Sequence, residues 1–174
     1  LLGHPGVELA AVTSRQYAGQ TLAQVYPRFA NHPRAQALRF TEGKTELLAR
    51  QAQVVFLALP HGVAAEFAAP LLDLGCQVID LSADFRVRSP AVYKEFYGHD
   101  HPAPDLLDKA VYGLPEVYRA DIRKASLTAS PGCCPTSTLP PALPLLQARW
   151  ARSAGIIADS LSGVSGAGRK AEAD

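Results

Sequence analysis

The chain has 174 residues, of which 48% are hydrophobic and 19% charged, with a formal net charge of +1. This is the balance of a folded globular protein, and it excludes a disordered one. With no basic block and no apolar run of membrane-spanning length, the sequence argues against nucleic-acid and membrane partners.

The sequence contains no methionine, opens on LLGHPG as at the end of a helix, and stops after a Gly-Ser loop. We therefore expect a piece of a longer protein, cut at both ends. The opening LLGHPGVELA lacks the basic and long apolar regions of a signal peptide. Three cysteines in that context imply free thiols in a reducing compartment, the cytoplasm. Without a C-x-x-C pair, metal binding is not expected.

The first element expected in chain order is a strand at 7–14, VELAAVTS, ending at Ser14-Arg15. A short helix over 43–52 leads into a second strand at 53–60, QVVFLALP, ending at Pro60-His61. In HGVAAEFAAPLLDLG, Val63, Phe67, Leu71 and Leu74 recur at helical spacing, and Gly75 stands at the helix end. Pro70 is expected to kink or restart that helix. The third strand, CQVIDLS at 76–82, makes Cys76 a small core residue. The nearly continuous apolar runs at 54–59 and 78–81 predict parallel strands covered on both faces.

After it comes SADFR, where Asp84 and Arg86 could pair or Arg86 could grip an anionic substrate. The stretch 85–124, rich in aromatics, Pro and His, reads as an excursion over the strand ends, with short helices near 90–97 and 115–124. His61, His99 and His101 read as loop or satisfied polar residues. A fourth strand, SLTAS at 126–130, runs into SPGCCPTS, and a further strand is expected at 155–163, GIIADSLSG. Repeated strand-helix-strand units with short connections imply an open parallel sheet, an α/β fold.

In such a sheet ligands bind beyond the carboxyl ends of the strands, which singles out Ser14-Arg15, Pro60-His61, Ser82–Asp84 and Ser130–Cys133. Cys133 follows a Pro131-Gly132 turn and precedes Pro135, a residue suited to a helix start. Amides at such a turn favour thiolate, the nucleophilic form, and could hold an oxyanion. Cys134 reads as a packing residue facing away. Pro140 and Pro141 should shorten, delay or kink the helix. Arg15 could accommodate the extra phosphate of NADP if the first visible strand is really the second of a dinucleotide fold. In SGVSGAG, at 162–168, the glycines would let the backbone approach a phosphate or nicotinamide closely.

The segments FLALPHGVAAEFA, VIDLSADFR, AVYGLPEVYR, SPGCCPTS and SGVSGAGRK together resemble those of N-acetyl-gamma-glutamyl-phosphate reductases, in order and at similar spacing across essentially the whole chain. That family is NADP-dependent and acts in arginine biosynthesis. The resemblance implies a Rossmann-type parallel sheet, its first strand missing, over 1–150. The start of an α+β catalytic and dimerisation domain would follow over 151–174. It implies Cys133 as the nucleophile toward a small-molecule acyl phosphate. Ser14 and Arg15 would lie at the adenosine phosphate, with Pro60-His61 and Ser165-Gly166 near NADP and Arg86 at the substrate.

The family's glycine-rich turn would precede Leu1 and its catalytic histidine would follow Asp174, so the isolated piece is expected to be inactive. The full-length parent is expected to be a homo-oligomer. The chain departs from the family pattern at Ser130, where Asn is usual, and at Cys134, where an aromatic is usual. Sister reductases of aminoadipyl or aspartyl phosphate, and a non-catalytic NADP-binding protein, are the competing readings.

Overall fold

The structure, a computed structural model, describes residues 1–161, 163 and 166. Its strands are β1 (Val12–Thr13), β2 (Phe40–Thr41), β3 (Val54–Leu57), β4 (Gln77–Asp80), β5 (Val111–Tyr112) and β6 (Leu127–Ala129). They form two sheets, a β1-β2 pair and a four-stranded sheet of order β3-β4-β6-β5. Every pairing is parallel. The helices are α1 (Leu22–Val25), α2 (Pro33–Ala37), α3 (Thr45–Gln51), α4 (Val63–Asp73), α5 (Pro90–Tyr97), α6 (Pro115–Ile122) and α7 (Cys133–Gln147). This is the expected α/β architecture, and among the described residues no helix is long and apolar enough to cross a membrane.

The larger core lies between one face of the four-stranded sheet and α4. Val55, Leu57, Val78, Leu127 and Ala129 point inward and meet Ala64, Ala65, Ala68 and Leu71. The alanines let the helix sit close to the strands, while Leu71, fully buried, contributes about 1.5–3 kcal/mol by leaving water. The opposite face is open: Val54 and Phe56 alternate with the buried positions and remain 39% and 40% exposed. The apolar run at 54–59 predicted cover on both faces, and here only one is covered. A second core, Leu22, Ala35 and Phe40 with Tyr17 and Tyr26 against it, underlies the β1-β2 pair.

Local signals set the helix ends. Ser89 caps α5 by accepting the Val92 amide at 3.4 Å, and Gly98 ends it in the left-handed region at φ 77°. Gly75 closes α4 in the same conformation, at φ 82°. Pro70 does not end α4, which runs on as a single element.

Helix α7 likewise continues through Pro140, Pro141 and Pro144, against the expected shortening. Proline's fixed φ is itself helical, so the chain can keep its path at the cost of the missing amide bonds. No residue of α7 is buried. Residues 155–161 form no strand, contrary to the sequence reading. They have no ladder partner, and Ile157 and Leu161 stay 94% and 93% exposed. The segment reaches α7 instead, where Ser160 Oγ lies 2.7 Å from Ser137 Oγ.

Candidate functional site

The carboxyl ends of β3, β4 and β6 finish level, because Leu57 pairs with Asp80 and Asp80 with Ala129. The ladder runs one step further, with Leu81 donating to Leu57 O at 2.9 Å and Ser130 to Asp80 O at 2.8 Å. Everything the sequence placed after these strands therefore starts from one edge.

The loop after β4 folds back on itself. Asp80 accepts the Ser82 amide at 2.9 Å and its hydroxyl at 2.8 Å, and Ser82 Oγ accepts the Asp84 amide at 3.1 Å. Burial raises the Asp80 pKa, against the opposing pull of the Ser82 bonds. Asp84 is wholly buried and fully used. Its Oδ1 accepts the Gly62 amide at 2.8 Å and the Tyr93 hydroxyl at 3.1 Å, and its Oδ2 accepts the Ala65 amide at 3.0 Å. A carboxylate thus satisfies amides at the start of α4, where the helix dipole favours negative charge. Burial, and then the Asp84 charge, push the Tyr93 phenol above its ordinary range.

His101 is buried beside this carboxylate. Its Nδ1 accepts the Ala103 amide at 3.0 Å, so Nε2 carries the proton and donates to Asp84 O at 3.0 Å. Burial pushes its pKa down. It is a satisfied polar residue, as read from the sequence. Asp84 does not pair with Arg86, contrary to one reading of SADFR: α4 and Tyr93 claim its oxygens.

His61 is exposed in the turn between β3 and α4, and its Nδ1 accepts the Ala83 amide at 3.1 Å. Pro60 stands exposed beside it. On the other side of the loop, Arg86 donates from Nε to Ser130 O at 2.9 Å and from Nη2 to Leu81 O at 3.1 Å. The chain His61–Ala83–Arg86–Ser130 thus links the turn after β3 to the one after β6. Arg86, expected at the substrate, commits two of its three nitrogens to main-chain carbonyls.

Cys133 is exposed at the first position of α7, whose N-cap, Gly132, provides no side-chain hydrogen bond. The turn is closed instead by Thr136, which donates both its amide, at 3.0 Å, and its hydroxyl, at 2.9 Å, to Gly132 O. Cys134 does not pack away as expected: it too is exposed, with the sulfurs 3.9 Å apart, because α7 covers no core here. Cys76 is buried, as expected, with Sγ 3.6 Å from Ala52 O.

Ser14 and Arg15 lie at the end of β1, in the smaller sheet. Ser14 accepts the Tyr17 amide at 3.4 Å, and Arg15 is exposed with no ion pair among the described residues. Gly43 bridges toward the larger unit: a Cβ there would stand 3.6 Å from Thr13 Oγ1 and 3.8 Å from Phe67 on α4. Ser165 lies outside the described residues. Gly166 donates to Gly163 O at 2.8 Å.

Sequence reasoning singled out Ser82–Asp84 but missed Asp80 and Tyr93 as part of the frame of this edge. The signal available was the D-L-S-A-D spacing, whose short polar side chains fold loops onto their own amides.

Comparison with known proteins identifies the family of the chain. Residues 1–125 match the semialdehyde dehydrogenase NAD-binding domain, and residues 133–174 match the semialdehyde dehydrogenase dimerisation domain. The chain is 55% identical over 172 residues to an N-acetyl-gamma-glutamyl-phosphate reductase of Akkermansia muciniphila, covering 98% of this chain and 49% of the relative. It is 46% identical to the protein of that name from Nitrosococcus oceani, covering 98% of this chain and 49% of the relative. A [LysW]-L-2-aminoadipate/[LysW]-L-glutamate phosphate reductase of Saccharolobus solfataricus is 42% identical, with 98% of this chain and 47% of that protein covered. Among solved structures, aspartate semialdehyde dehydrogenase II of Vibrio cholerae aligns at TM-score 0.46 and 19% identity, covering 64% of this chain and 31% of that one. The chain spans about half the length of the curated relatives it matches, and the resemblance read from its motifs is borne out. It belongs to the semialdehyde dehydrogenase family.

Proposed function

We propose that the whole protein reduces N-acetyl-glutamyl 5-phosphate to N-acetyl-glutamate 5-semialdehyde, as a cytoplasmic, homo-oligomeric enzyme of arginine biosynthesis. The observation that carries this reading is an exposed Cys133 at the start of a helix, on the same sheet edge as His61 and Arg86. In this role the Cys133 thiolate attacks the acyl carbon to form a C–S bond, the C–O bond to phosphate breaks, and inorganic phosphate leaves, so that a thioester on Cys133 remains. The amides of Cys133 and Cys134 in the first turn of α7 would stabilise the oxyanion formed on attack.

A reduced nicotinamide, when bound, supplies the hydride that converts the thioester to the aldehyde and frees the thiolate. The residues present fit NADP: Arg15 is exposed and carries no carboxylate partner among the described residues, and Ser14 stands beside it at a strand end. Pro60 and His61 would border the cofactor, and Ser165 and Gly166 would approach it from the second domain, which we place from residue 151 onward, after a cofactor domain over 1–150.

The test is the reverse assay on the full-length protein with N-acetyl-glutamate semialdehyde, phosphate and NADP. NADPH formation is expected and should vanish in Cys133→Ser. The name of the Saccharolobus solfataricus relative supports a second reading, an aminoadipate-type substrate on a different acyl cap. Turnover of that semialdehyde alone would replace the first reading with the second. NADP binding with no turnover of either, and no effect of Cys133→Ser, would make the protein a binding module.

A further inference from the structure

We infer that Cys133 and Cys134 form a reversible oxidation site, in which Cys134 captures Cys133 after a hydroperoxide has oxidised it. The effect on turnover rests on the reading of Cys133 as nucleophile; the modification itself does not. The first observation is proximity. Both thiols are exposed at the start of α7, with their sulfurs 3.9 Å apart. The third cysteine cannot take part. Cys76 is buried just before β4, with Sγ 3.6 Å from Ala52 O, whereas Cys133 follows the carboxyl end of β6. These strands run parallel, so the two positions lie at opposite ends of the sheet.

The second observation is how loosely α7 is held. Consecutive Cα atoms stand about 3.8 Å apart across a trans peptide, closer than the roughly 4.4–6.8 Å of an ordinary disulfide. Joining the sulfurs therefore requires the chain at 133–134 to bend. Helix α7 buries no residue, so bending its start breaks no packing. Its prolines at 140, 141 and 144 leave the carbonyls of Thr136, Ser137 and Pro140 without the amides four residues on. Two hydroxyls brace the opening turn, Thr136 on Gly132 O and Ser137 on Cys134 O, each at 2.9 Å. A disulfide made against this geometry is strained, and strain makes it easy to reduce. The pair thus suits a reversible modification rather than a structural bond.

The chemistry balances with the hydroperoxide as oxidant. The Cys133 thiolate attacks one peroxide oxygen, the O–O bond breaks, hydroxide or alkoxide leaves, and Cys133 becomes a sulfenic acid. Cys134 then attacks that sulfur. An S–S bond forms, the S–O bond breaks, and the hydroxyl leaves with the Cys134 proton as water. The two thiols give up two electrons in all, and the peroxide takes them. Closure leaves Cys133 no thiolate for a substrate, and it stops oxidation before sulfinic acid, a stage that thiols do not reverse.

The test treats the full-length protein with hydrogen peroxide, then iodoacetamide and trypsin. Cleavage after Lys124 and Arg149 puts Cys133 and Cys134 in one peptide and Cys76 in another. The 125–149 peptide should be two hydrogens lighter than its reduced form and carry no alkyl group. The protein should show no disulfide between copies on a non-reducing gel. Dithiothreitol should restore labelling of both thiols and more than about half of the lost turnover. In Cys134→Ser at the same peroxide dose, recovery relative to that variant's own untreated rate should fall below about a tenth, with Cys133 found as sulfinic acid.

Cys133 sulfinic acid beside an alkylated Cys134 in the unsubstituted protein would overturn the proposal. So would a disulfide between two copies, or equal recovery in Cys134→Ser. Should Cys134→Ser fail to fold, the peptide mass from the unsubstituted protein decides alone. A closed pair with full turnover would uphold the modification and overturn Cys133 as nucleophile. Absence of turnover before treatment sinks the proposed reaction but not the oxidation site, which the peptide mass still reads.

Discussion

The loop after β4 and the helix after β6 leave the same sheet edge, yet they are secured in opposite ways. The loop is buried from Ser82 through Phe85 and bonded to α4, Tyr93 and His101. Helix α7 carries the exposed Cys133 but buries none of its residues; Thr136 closes its first turn, and Arg86 holds Ser130 just before it. The nucleophile role proposed for Cys133 needs access, and access costs packing. The difference shows a division of labour, in which the rigid loop supplies the order that the exposed helix cannot supply for itself.

Substitutions in the loop should therefore act on stability, and those in the helix should not. The largest effect is expected from Asp84→Ala, which strands the Gly62 and Ala65 amides and the Tyr93 hydroxyl. Urea unfolding should show a loss of about 3–5 kcal/mol. A loss under 1 kcal/mol (roughly a single solvated bond) would mean the loop is not the rigid partner. Tyr93→Phe removes one of those donors to a charged acceptor and should cost about 1.5–3 kcal/mol in the same experiment.

The third test is titration. Burial lowers the folded-state pKa of His101 below its ordinary 6.5, so the unfolded chain binds the extra proton between the two values. His101 therefore adds stability above pH 6.5 that is lost as pH falls toward its folded-state pKa. The wild-type urea midpoint should drop on acidification through this range, and His101→Gln should flatten that part of the profile. A steeper profile in the variant would contradict the assignment. The smallest effect belongs to α7. Pro140→Ala restores an amide and should raise hydrogen-exchange protection within the helix. The global midpoint should move by less than about 0.5 kcal/mol, because the helix packs on no core. A large shift would show that α7 does help to hold the fold.

Much of this edge was legible beforehand. The strands at β3, β4 and β6, the helices α4, α5 and α6, and the place of Cys133 at a strand-to-helix turn followed from apolar periodicity and from Pro, Gly and Ser punctuation. The two-residue strands β2 and β5 escaped because a segment that short carries no period, and pairing with a neighbour alone makes it a strand. The strand read at 155–163 failed for the converse reason: its residues have the composition, but 155–161 find no edge to pair with. Within SADFR the chemistry of each residue was visible and the partners were not. Asp84 and Arg86 are two positions apart, and local charge logic pairs them, whereas folding sends one to α4 and the other to Ser130.

The sequence alone determined the fold class, the family likeness and the thiol's place at a strand-to-helix turn, because these depend on short-range pattern and residue order. Tertiary structure decided which face of the sheet is covered, where Asp84 spends its oxygens and that Arg86 grips the turn below Cys133. Those outcomes depend on which distant amides and carbonyls reach hydrogen-bonding distance once the strands align, and no local spacing encodes that.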